Sequence, residues 1–145
     1  MSVISVIVCF LAALIIKSLL GIDLFPALVV QLAIYNSPEG TILFSSFSGF
    51  VQDALFYPGF LNFLSYTVVG GLAVYLKRFF AFEEDALAMT LTLIAAPLSV
   101  IVVAIGMRIF QGVMYPSLIF SLIKVTFANG LLVLAINYFL GNRGR

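Results

Sequence analysis

The chain has 145 residues, 63% of them hydrophobic and 9% charged, with a formal net charge of +1. Soluble domains carry about 45–50% apolar and about 25% charged residues, so a water-soluble fold of this length has too little polar surface to cover itself. The absence of histidine and the single cysteine, Cys9, exclude a His- or Cys-based metal site, an intrachain disulfide and Ser-His or Cys-His nucleophile pairs, and the lack of a basic cluster argues against nucleic acid.

The composition points to lipid as the solvent. A transmembrane β-barrel alternates apolar and polar residues, and runs such as Val3-Ile4-Ser5-Val6-Ile7-Val8 do not alternate. The expected fold is all-α: a polytopic six-helix transmembrane bundle forming a single integral membrane domain over residues 1–145. A spanning helix needs about 20 apolar residues, so six fit with short loops.

The first span is expected over 3–20, a retained helix because no charged n-region and no cleavage site accompany it. Gly21-Ile22-Asp23 breaks it. The second covers about 24–36 and has Pro26 in its first turn, where a missing N–H costs nothing. Asn36-Ser37-Pro38-Glu39-Gly40 reads as a turn, the third span as 41–57, and Tyr57-Pro58-Gly59 as the next turn. The fourth span runs over 61–76 to Lys77-Arg78, after which Phe79-Phe80-Ala81-Phe82 lies at the interface. Glu83-Glu84-Asp85 caps the fifth, about 86–107, because acids suit the N-terminal dipole. The sixth covers about 115–140 and leaves a short tail. Lys77, Arg78, Arg143 and Arg145 against Lys17 and Arg108 favour both termini in the cytoplasm.

Helices in lipid associate through small residues and hydrogen bonds. In the third span Thr41, Ser45, Ser48, Gly49 and Gln52 share one face, with Asp53 at its edge and Leu43, Phe47, Phe50, Val51 and Ala54 opposite. The fifth aligns Ala88, Thr92, Ala95, Ser99 and Gly106. The sixth aligns Ser117, Ser121, Lys124, Ala128 and Ala135. Ordinary close packing accounts for such stripes, and a lined cavity or partner groove is the functional alternative. Asp53 and Lys124 are charges at membrane depth that need partners. Both lie toward the same surface, so they are expected to meet, as a salt bridge locking the bundle or as a solute or proton site. Lys17, Asp23 and Arg108 read as interface anchors, and Tyr35, Tyr57, Tyr75, Tyr115 and Tyr138 as an aromatic belt. Asn129, deep in the sixth span, should hydrogen-bond across helices.

Gly49-Phe50-Val51-Gln52-Asp53-Ala54-Leu55-Phe56, followed after a short turn by Leu61-Asn62-Phe63-Leu64-Ser65-Tyr66 and an apolar run to Gly70, resembles the rod shape-determining MreD family. That family carries Gly-Phe-x-x-Asp-x-Leu near one helix end, a small-residue turn, then Leu-Asn. The likeness extends over about residues 25–105. Phe60 holds the place where the pattern has glycine, and Gly59 comes one residue earlier.

The resemblance implies a non-enzymatic scaffold subunit, without cofactor, in the inner membrane of a bacterium. It would serve the cell-elongation complex that supports cell shape and peptidoglycan synthesis. Its partners would be an MreC-like single-span protein and, indirectly, MreB, RodA and a class B penicillin-binding protein. The implied fold is similar to the substrate-capture (S) subunits of energy-coupling-factor transporters, an analogy that does not carry function with it. Gly49, Asp53, Asn62 and Lys124 are the expected structural or partner-binding residues, Lys124 on the helical-wheel argument alone. The alternative function is a solute-capture subunit of a membrane transporter; a holin-like pore former is a weaker reading.

Overall fold

The computed structural model describes residues 3–56, 59–80 and 83–141, and every regular element among them is helical. The helices are α1 (Val3–Leu20), α2 (Phe25–Tyr35), α3 (Pro38–Phe56), α4 (Leu61–Leu76), α5 (Glu84–Gly106) and α6 (Leu118–Gly141), with a π-helical turn at Met107–Gln111. Tyr57 and Pro58 of one expected turn, Ala81 and Phe82 of the interfacial segment, and Arg143 and Arg145 of the charge count lie outside the described residues. Two helices are long and apolar enough to cross a membrane, Glu84–Gln111 and Leu118–Phe139; Ile4–Leu20, Phe25–Tyr35 and Leu61–Leu76 are apolar but shorter.

Local chemistry sets the boundaries. Gly21 ends α1 in a left-handed conformation (φ +61°), donating its N–H to Lys17 O at 2.9 Å. The third helix starts earlier than expected. Ser37 Oγ accepts from Gly40 N at 3.1 Å, and Pro38 occupies the first helical position. Ser-Pro-Glu is thus a helix start, with a hydroxyl satisfying an orphan N–H and a proline having none to lose. The sixth helix starts later, at Leu118, after Ser117 takes φ +49°. Glu83 precedes α5 without a side-chain capping bond, while Glu84 and Asp85 sit in the first turn.

One helix, α3, is inside-out by the standard of a water-soluble protein, in which the apolar stripe faces inward. Helix α3 buries Thr41, Ser45, Ser48, Gly49, Gln52 and Asp53, and it exposes Leu43, Phe47 and Phe50. The stripe read from its periodicity is the buried face. The α5 stripe is buried too, joined by Leu87, Leu91, Ala96 and Val100. That of α6 needs correcting: Ser117 and Ala135 are exposed, Lys124 and Ala128 are half-buried, and Val125, Asn129 and Val133 are enclosed. The helix is rotated so that Asn129 faces α2. Its Oδ1 accepts from Ala27 N at 2.8 Å and its Nδ2 donates to Asp23 O at 2.6 Å. These bonds outweigh the weak preference of small residues for the interior.

Helix α2 stands at the centre, buried from Phe25 to Ile34. Its last carbonyls are capped by Lys77, whose Nζ donates to Ala33 O and Ile34 O at 3.0 and 2.6 Å. Helices α3 and α4 form an antiparallel pair, with Ser45 against Gly70 and Ser46 Oγ bonded to Thr67 Oγ1 at 2.9 Å. Ser65 Oγ donates to Ser99 O at 3.0 Å and ties α4 to α5. Helix α1 docks through its rings, Phe10 standing edge-on to Phe25 and Phe44 at 5.4 and 5.8 Å.

Candidate functional site

One end of the bundle carries two polar assemblies. The first joins the C-terminal end of α3 to the N-terminal end of α4. Asp53 Oδ1 accepts from Asn62 N at 3.0 Å and from Asn62 Nδ2 at 2.9 Å, and Oδ2 accepts from Phe63 N at 2.8 Å. A carboxylate at a helix N-terminus gains from the dipole and from the free amides, and such charge-assisted bonds are about twice as strong as neutral ones. One turn earlier, Gly49 lies directly on the α4 backbone. A Cβ there would be 2.5 Å from both Asn62 O and Phe63 Cα, so no other residue fits without moving the chain. Phe60 enters α4 with φ +57°, a left-handed conformation that glycine adopts without penalty.

Gly49, Asp53 and Asn62 therefore form one joint. Lys124 does not belong to it. The expected Asp53–Lys124 contact is replaced on both sides, because Asp53 is saturated by α4 while Lys124 Nζ donates to Leu20 O and Gly21 O at 3.2 and 3.4 Å. Lys124 caps the end of α1.

The second assembly was not foreseen. Lys17 Nζ and Asp23 Oδ2 form an ion pair at 3.0 Å, with side chains only 16% and 19% exposed, so neither is an interface anchor. Arg108 is exposed. Tyr66 OH donates to Asp23 Oδ2, Gln52 Oε1 accepts from Lys17 Nζ, and Tyr66 OH and Gln52 Oε1 are 2.8 Å apart. Asp23 Oδ1 also accepts from Phe25 N at 3.0 Å, an Asx turn that starts α2. One acidic residue thus gathers α1, α2 and α4, and its carbonyl holds α6 through Asn129. The signal in the sequence is a lysine in the last turn of α1 and an aspartate six residues on, across a glycine stop. That spacing brings the pair together only if the chain reverses at Gly21.

The network borders a cavity of about 660 Å³, lined also by Asn62, Ser65, Ser99, Ser121 and Lys124 and by apolar side chains of α4, α5, α6 and the α5–α6 connection. No group of three or more His, Cys, Asp or Glu able to hold a metal occurs among the described residues. In comparisons with known proteins, no family model, no curated protein and no solved structure matches the chain.

Proposed function

We propose that this chain is a six-span scaffold subunit of the MreD type, lying in a bacterial cytoplasmic membrane with both termini inside and holding the single membrane helix of an MreC-like partner. The observation that carries the reading is the α3–α4 joint. The glycine, aspartate and asparagine of the family-like pattern are not scattered matches; they make one tight, charge-assisted contact. The inverted polarity of α3 supports immersion of the whole bundle, including helices too short to qualify alone.

The partner's helix is assigned to the outer face of α4. Thr67 and Gly71 lie one turn apart there, partly exposed, and a Cβ on Gly71 would meet nothing within 4 Å. A small-x-x-x-small face of this kind permits close approach of a second backbone. Ser46, bonded to Thr67, widens the face onto α3.

Native membranes expressing the chain with an affinity tag should yield, by mass spectrometry, a single-span protein with a large soluble domain beyond the outer surface. Gly71→Leu should abolish that recovery and leave the thermal midpoint of the purified bundle unchanged. Recovery of ATPase subunits in its place would overturn the scaffold reading in favour of solute capture, which the cavity at the Lys17 end specifically favours.

A further inference from the structure

We propose that the cavity beside Lys17 and Lys124 binds a small amphipathic carboxylate, with its anionic end at Lys124 Nζ. This does not rest on the scaffold reading, since it concerns a different face of the bundle. The volume, about 660 Å³, falls within the range of roughly 300–1,000 Å³ typical of small-molecule sites. Its lining is also of the kind such sites have. Apolar side chains including Leu61, Val103 and Phe120 form much of it, and a few polar groups converge on it.

Charge selects the ligand. Lys17 and Asp23 neutralise each other in their ion pair. Asp53 is not in the lining and has both oxygens engaged by α4. Lys124 is left as the uncompensated charge among the described lining residues. Its only hydrogen-bond acceptors there are the neutral carbonyls of Leu20 and Gly21, at the long distances of 3.2 and 3.4 Å. An ammonium has three donors, so one remains for an incoming anion. A single excess positive charge suits a monoanion and disfavours a phosphate dianion. The apolar lining disfavours a small inorganic anion, which would give up its hydration there and gain no contacts.

The test uses the full chain in phosphatidylcholine nanodiscs with 2-naphthoate as the fluorescent probe, measured by equilibrium dialysis against empty discs. Saturable binding of one probe per chain is expected. The neutral isostere 2-naphthylmethanol should bind at least tenfold more weakly. Lys124→Met should weaken 2-naphthoate at least tenfold, and Lys124→Arg should retain it. Val103→Trp, which puts an indole into the apolar part of the cavity and leaves the lysine in place, should also weaken binding, so the outcome does not hang on one variant. Uptake no greater than by empty discs, equal binding of the neutral isostere, or wild-type affinity in both Lys124→Met and Val103→Trp would each overturn the proposal. The partner-recovery experiment is unaffected by any of these results.

Discussion

The α3–α4 joint and the Lys17–Asp23 network occupy the same end of the bundle and are built in opposite ways. The joint uses residues close in sequence, nine apart from Asp53 to Asn62, and bonds a carboxylate mainly to backbone amides. The network uses side chains from three helices, with Lys17 and Tyr66 49 residues apart, and bonds charge to charge and to hydroxyl and amide groups. The joint has one solution, because backbone atoms neither rotate nor retreat. The network has more latitude, because its bonds run between side chains and not to fixed backbone amides. The first therefore acts as a rigid hinge pin, and the second as a polar core that tolerates compensated change.

The largest expected effect is at the joint. Gly49→Leu should prevent recovery of a folded bundle, because even a single added carbon would lie 2.5 Å from the α4 backbone; Gly49→Ala should cost about 3 kcal/mol, the upper range for overpacking, read as a lowered thermal midpoint in detergent. Normal yield and midpoint in both variants would remove the distinction between the two regions. A smaller effect is expected in the network. Lys17→Met should destabilise by about 2 kcal/mol, the order of a lost charge-assisted bond, by leaving Asp23 without its cation. Adding Asp23→Asn should restore part of the loss, because removing both members of an enclosed pair costs less than stranding one. Strictly additive losses in that double-mutant cycle would show that the pair is not coupled. The smallest effect is at the entry to α4. Phe60→Gly should stabilise by about 0.5 kcal/mol: it relieves a left-handed strain of about 1–2 kcal/mol and restores chain entropy of about 0.5–1 kcal/mol to the unfolded state. A lower midpoint would mean that the Phe60–Phe63 ring contact, 6.5 Å between centroids, outweighs the strain.

The same contrast explains what could be read in advance. The α3 face was legible because its polar and small residues repeat at the helical period, so one wheel contains the whole answer. Gly49, Asp53 and Asn62 stand out in the sequence by their spacing within a short segment, but their mutual contact does not, since Asp53 is there expected to meet Lys124. The α6 face was misjudged because its rotation is decided by Asn129 reaching Ala27 and Asp23, more than a hundred residues away. Asn129 by itself announces a bond to another helix, but α6 alone does not say to which one. The Asp53–Lys124 contact failed for a related reason. Depth and sidedness narrow the choice of partners, but Asp53 had nearer ones in α4, whose first amides are free by construction. Tyr66 was overlooked because it lies in mid-helix, away from the expected belt, where only the fold reveals Asp23 beside it.

Helix α2 carries a consequence for how the molecule is made. At 11 residues it is about 16 Å long, and from Phe25 to Ile34 it has no exposed flank. Its amide at Ala27 waits for Asn129 and its final carbonyls wait for Lys77, both of which leave the ribosome long after it does. Helix α2 accordingly has its full set of partners only when α4 and α6 are in place. Until α6 arrives, the Ala27 amide goes without the acceptor it has in the finished fold, so α2 depends for its first turn on a helix a hundred residues away.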